Sequence, residues 1–370
     1  MNLPFSFPSI RAGLLTAAAT LLAVTPSLRA ADGLPDYQPQ LQVTGVLRGC
    51  GSPEMSALLK RWQAGFQRRH PGVEFADDLK SSASGMYGLD MRTADFALMG
   101  RAIYPYERYG VYERSWVYPA AIEVATGSDT ALHKSPAYAI FVHRDNPLAK
   151  LTVRELDGVF GARRAGGWNA LTWDTSVARG SKDDLRIWGQ LGLTGEWAGK
   201  PIHVYGQAGL GAGAITYFQS RVFGGAETWN ESLREYADRQ QMLADLARDP
   251  LGIAYAPIAY ANPGVKAVAL AETTAGPYVA LDRESVQART YPLHRPVYLY
   301  YTMDNARTEL TPTLGDPRVK EFIRYILSKQ GQQDVAQEGS YLPLTTSVIQ
   351  AQLKKLHSKE IPPEHRFMED

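Results

Sequence analysis

Leu41-Gln42-Val43-Thr44-Gly45-Val46-Leu47 alternates with the period of two of a β-strand and runs into the turn Gly49-Cys50-Gly51. Ser52 and Pro53 then read as the N-cap and first residue of a helix. In that helix Met55, Leu58, Leu59, Trp62 and Phe66 fall at i, i+3, i+4, i+7 and i+11, one apolar face. His70-Pro71-Gly72 stops it, and Val73-Glu74-Phe75 opens a second strand. Ser82 to Met91 reads as a second helix and Asp95 to Met99 as a third strand. Strand, helix and strand at this spacing predict a parallel α/β sheet.

The alternation continues along the chain. Ala137 to Val142 reads as a buried strand ended by Asp145-Asn146-Pro147, and Thr152-Val153-Arg154-Glu155 as a capping box for a helix through Phe160. Residues 161–200 carry Gly, Trp and charge with weak periodicity, and read as loop plus a short helix. Ile202 to Tyr205 is a strand; a Gly-rich loop leads from it into helix 214–223. A helix near 239–248 precedes strand Gly252 to Tyr255. Asp316-Pro317 opens a helix with Val319, Phe322, Ile323, Ile326 and Leu327 on one face. With 370 residues there is room for two cores. No low-complexity linker separates them, which predicts lobes joined by strand crossings.

The start of the chain reads as an address. Arg11 precedes a largely apolar stretch of 13 residues, Ala12 to Val24, in the length range of a signal h-region and short of a membrane span. Pro26 follows, then small residues suited to cleavage after Ala30. An N-terminal anchor or a buried helix is the alternative. Without Arg11 and Arg29 the mature chain has 37 basic against 38 acidic residues, a balance unsuited to a dedicated nucleic-acid binder. Cys50, the single cysteine, excludes an internal disulfide and any CxxC site, and reads as a small buried side chain. The seven histidines show no HxH or HxxxH spacing, so neither metal nor cofactor is expected.

Three Gly/Ser-rich turns sit between a strand and a helix: Gly51-Ser52, Ser81-Ser82-Ala83-Ser84-Gly85 and Gly209-Leu210-Gly211-Ala212-Gly213. Free N–H groups at a helix start, together with the helix dipole, suit an anion. For any single loop a plain cap and turn is the better reading; three in one α/β chain predict convergence on one site. The third reads GxGxG, without the GxGxxG spacing or the later acidic residue of a dinucleotide site. GxxxxGK[ST] and GxSxG are absent, which removes phosphate-loop NTPases and α/β-hydrolases. The tyrosines at 104, 106, 109, 112 and 118 suit packing or a partner surface.

Over residues 41–346 the chain resembles the periplasmic substrate-binding proteins of phosphate ABC transporters. The resemblance rests on Gly51-Ser52 with Leu58 and Trp62, on Phe66 with His70-Pro71-Gly72-Val73, and on Ser82, Gly85 and Leu89 leading to Ala94-Asp95. Further along it rests on Asp145-Asn146-Pro147-Leu148, Gly252 to Tyr255, Tyr291-Pro292-Leu293 with Arg295-Pro296, and Gly331-Gln332. It implies the type II periplasmic-binding-protein fold, two α/β lobes with a ligand cleft between them. The expected division is a signal peptide over 1–30, one lobe from 31–138 plus 260–370, and a second from 139–259. It also implies a non-enzymatic secreted receptor for phosphate or another small anion, serving a membrane permease, with a monomer expected. A degenerate relative that senses or contacts a macromolecule is the alternative.

The ligand-binding residues implied are Ser52, Ser82, Ser84, Gly85, Arg101, Gly211, Ala212 and Gly213. The chain departs from the family pattern at Gly100-Arg101, at Gly206-Gln207 where an Arg is usual, and at Leu210-Gly211-Ala212 where the family has Ser-Gly-Thr. Charge-assisted hydrogen bonds contribute ~1.5–3 kcal/mol each, so phosphate affinity on the order of hundreds of micromolar is expected. Arg101 as the nearest countercharge, or an Arg or Lys reaching in from outside the motifs, would restore the charge.

Overall fold

The computed structural model describes residues 34–115, 118–169, 172–208, 213–302 and 315–357. The expected leader and two expected site residues of the third loop, Gly211 and Ala212, lie outside them, as does Leu210. Among the described residues ten strands build two five-stranded sheets. In chain order they are β1 (Gly45–Gly51), β2 (Val73–Leu79), β3 (Phe96–Met99), β4 (Ala120–Thr126) and β5 (Tyr138–His143). Then come β6 (His203–Gly206), β7 (Arg234–Glu235), β8 (Gly252–Pro257), β9 (Val265–Ala267) and β10 (Pro296–Tyr301).

The first sheet has the order β2-β1-β3-β10-β4, with β1 parallel to β2 and β3, and β10 antiparallel to both its neighbours. The expected strand–helix–strand unit is present. Its helix α1 (Ser56–Gln67) follows a 3-10 turn at Pro53–Met55 and buries Leu58, Leu59, Trp62 and Phe66 almost completely. Each such side chain contributes about 1.5–3 kcal/mol when fully buried. They pack with Phe322, Ile323 and Ile326, from the helix that Asp316 caps by accepting the Arg318 N–H at 2.8 Å. On the other side of this sheet α2 (Ser82–Asp90) and α3 (Pro105–Ser115) cover Ala97, Met99 and Tyr300 with Met86, Leu89 and Val111.

The second sheet has the order β7-β6-β8-β5-β9. Helix α4 (Val153–Phe160) carries the expected capping box: Thr152 Oγ1 accepts the Glu155 N–H at 3.2 Å, and Glu155 Oε2 accepts the Thr152 N–H at 2.7 Å. Helices α5 (Gly213–Val222) and α6 (Arg239–Leu246) lie where the pattern puts them. Between α4 and β6 the described residues hold two three-residue strands and 3-10 turns, not a short α-helix. Buried ion pairs organise that stretch, with Arg164 and Arg179 both reaching Asp157.

The two sheets are joined by two crossings. The first is residues 127–137, between β4 and β5. The second comes later than residue 259: β9 pairs antiparallel with β5, and Leu270, Val286, Tyr291 and Leu293 belong to the second core. The expected boundary at 259/260 therefore falls inside one structural unit. Pro257 and Asn262-Pro263-Gly264 resemble an exit from the lobe, but they form the turn that returns the chain to β5. The chain rejoins the first sheet at Pro296. Where the crossings pass, the Gly127 N–H donates to the Arg295 carbonyl at 2.7 Å.

Candidate functional site

The first loop is set by a close approach of two strands. Gly51 has φ 134°, and a Cβ there would lie 2.0 Å from the Leu98 carbonyl oxygen, so only glycine lets β1 end this tightly against β3. The next N–H, of Ser52, donates to that same oxygen at 2.9 Å. The Ser52 hydroxyl does not cap the following turn; it donates to Glu54 Oε2. Ser52 is buried and both residues line the cleft.

In the second loop the helix cap is Ser81, one residue before the expected helix start. Its Oγ accepts the Ser84 N–H at 3.0 Å, and Ser84 Oγ accepts the Ser81 N–H at 3.0 Å. Ser84 is thus used in the capping box. Gly85 packs under the sheet, where a Cβ would lie 3.0 Å from Ala97 Cβ and 3.2 Å from Gly51 Cα. Neither residue is on the cleft wall, whereas Ser82 is. Ser82 Oγ accepts the Gly100 N–H at 3.4 Å and so ties the second loop to the end of β3.

Arg101 follows, and its guanidinium is already matched. Nη1 and Nη2 each donate to Glu107 at 2.7 Å, a two-pronged pair in which both side chains are under a tenth exposed. The guanidinium also stacks over the Tyr104 ring, 3.6 Å from its centroid. The expectation that Arg101 supplies a free countercharge thus meets a cation neutralised by Glu107 of α3. Arg101 still marks the contact between the lobes: a Cβ at Gly213, the first residue of α5, would come within 2.9 Å of its Cδ. Gln207 adds no charge, and its amide donates to the Ala237 carbonyl at 2.9 Å.

These loops face one cavity of about 430 Å³ between the two sheets. Of the expected residues, Ser52, Ser82, Arg101 and Gly213 are on its wall, with Gly100. The wall also includes residues outside the expected ligand-binding set: Glu54, Ser135, Tyr138, Arg239, Tyr260 and Arg295. Arg295 lies at the end of the second crossing and is 7% exposed. Its Nη2 donates to the Gly100 carbonyl at 3.1 Å, while its Nε is buried without an acceptor. No carboxylate pairs with it among the described residues. Its only sequence signal was membership of the Arg295-Pro296 motif. No group of three His, Cys, Asp or Glu able to hold a metal occurs among the described residues.

The chain as a whole has known relatives. The family model for a PBP superfamily domain matches residues 38–330. The phosphate-binding protein PstS of Pseudomonas aeruginosa PAO1 is 30% identical over 340 residues, 92% of this chain and 94% of that protein. The chain belongs to the PBP superfamily, in the PstS family. PstS of a second P. aeruginosa strain, UCBPP-PA14, matches to the same extent. Among solved structures, PstS from Borrelia burgdorferi superposes with a TM-score of 0.50 at 15% identity, covering 81% of this chain and 99% of that one. That likeness places the two-lobed fold beside the type II binding proteins. Among the described residues no helix is long and apolar enough to cross a membrane.

Proposed function

We propose that this protein is a secreted receptor that captures phosphate in the cleft between its lobes and delivers it to the permease of an ABC transporter. One observation carries the reading: in a PstS-family chain, the ends of β1 and β3 and the start of α2 meet the start of α5 around a single cavity. The starts of α2 and α5 offer N–H donors there, and Ser82 offers a hydroxyl. The lobes that close on the ligand are residues 34–127 with 295–357, and residues 137–294. The relatives' role as phosphate-binding proteins supports receptor function without catalysis. The leader expected over residues 1–30, cleaved near Ala30, supports a periplasmic location.

Isothermal titration of the mature protein with inorganic phosphate at low salt tests the reading, with small-angle scattering to follow lobe closure. Saturable binding with a decrease in radius of gyration is expected. Heat-silent titration without compaction would reject it in favour of a non-transport module that contacts a macromolecule.

A further inference from the structure

The cavity wall carries four cationic side chains of Lys or Arg: Lys80, Arg101, Arg239 and Arg295. Two are matched by carboxylates, Arg101 by Glu107 at 2.7 Å and Lys80 by Asp78 at 2.9 Å. Among the described residues Arg239 and Arg295 have no carboxylate partner. Arg295 is the more telling, because an arginine this buried is ordinarily paired, and a guanidinium nitrogen without an acceptor is costly. It is held in place by the Gly100 carbonyl and by the faces of Tyr138 and Tyr217, 5.9 and 5.3 Å from their ring centroids. None of these neutralises its charge. Arg239, half-buried, stands at the first turn of α6 in the other wall, and among the described residues no side-chain acceptor holds it.

We propose that Arg295 and Arg239, both outside the Gly/Ser-rich loops, supply the positive charge that holds the bound anion. The loops then contribute neutral N–H and O–H donors, and the charge comes from the second crossing and the second lobe. This rests on the anion-receptor reading above and assigns that receptor a charge source its loops lack. A buried cation with no partner is a burden in the empty protein and a gain in the liganded one.

The test is phosphate titration and unliganded melting temperature for the mature protein and for Arg295→Gln and Arg239→Gln. Each variant is expected to bind phosphate roughly 10- to 100-fold more weakly. Unliganded Arg295→Gln should melt at or above the parent temperature, which loss of a structural arginine would not allow. If the parent binds and either variant binds as tightly, the assignment is overturned while the receptor reading stands. If Arg295→Gln fails to fold, its role is structural and the assignment is likewise overturned. If the parent itself does not bind phosphate, both fall.

Discussion

Ser135 donates its hydroxyl to the Gly100 carbonyl at 2.7 Å and, in doing so, fills the space a side chain at position 100 would need. A Cβ on Gly100 would lie 2.6 Å from Ser135 Oγ. The first crossing thus brings a hydroxyl to the end of β3, where the chain itself has glycine. Ser135 reaches this point with φ 51°, in the left-handed region.

Gly100→Ser should therefore destabilise the fold by about 1–3 kcal/mol, the range for overpacking a tight site. Adding Ser135→Gly should recover most of it, since glycine accepts that backbone angle and removes the colliding oxygen. Urea unfolding of the single and double variants measures both. Equal stability of Gly100→Ser and the parent would show that the crossing yields easily.

The Arg101–Glu107 pair gives the opposite kind of expectation. Arg101→Met leaves Glu107 buried with, among the described residues, the Tyr104 N–H at 2.9 Å, and should cost about 3–5 kcal/mol. Arg101→Met with Glu107→Leu should cost far less, because no charge is stranded. A double-mutant cycle from chemical denaturation reads the coupling directly. Additive losses would mean the two groups act independently.

Glu54 accepts a hydrogen bond from the Ser52 hydroxyl and places a carboxylate on the wall of the proposed anion site. Glu54→Gln removes a like charge and weakens the hold on that hydroxyl. Phosphate affinity should rise several-fold, by up to about 1.4 kcal/mol. Calorimetry at low and high salt would follow it. Weaker binding in the variant would make the carboxylate a ligand contact.

Acid sensitivity should come from buried histidines. His70 is held below the ordinary imidazole range by its burial, with Glu321 opposing in part. Its Nδ1 accepts the Val43 N–H at 3.4 Å and its Nε2 meets Tyr37 Oη at 2.7 Å, an arrangement suited to the neutral ring. Below about pH 6.5 the unfolded chain takes up a proton that the folded one refuses. Stability is thus complete above that range and declines as the pH falls through it. His294, lowered chiefly by burial, adds the same sign. Melting profiles from about pH 8 to about pH 5 should flatten in part for His70→Gln; an unchanged slope would place the acid response elsewhere.

Local pattern was enough for the elements whose stability is local. The apolar face of α1, the Thr152–Glu155 box and the Asp316-Pro317 start are each written within one or two turns of chain. What could not be read depends on partners far away in sequence. β9 looks like the way out of the second lobe until it pairs with β5, more than 120 residues earlier. Ser84 looks like a ligand donor until Ser81 claims it, and Arg101 looks free until Glu107 folds back onto it. Arg295 shows no periodicity at all, and its meaning comes from what does not surround it.

The hydrogen bond between Gly127 and Arg295 makes the second lobe an insert whose entrance and exit touch. All five strands of the first sheet lie outside the inserted stretch. A chain spliced from residue 127 directly to residue 295 would keep that sheet whole, and half the receptor becomes separable by a single covalent join. The same adjacency makes the lobe portable: its two ends are already at the spacing that grafting into a surface turn of another scaffold demands.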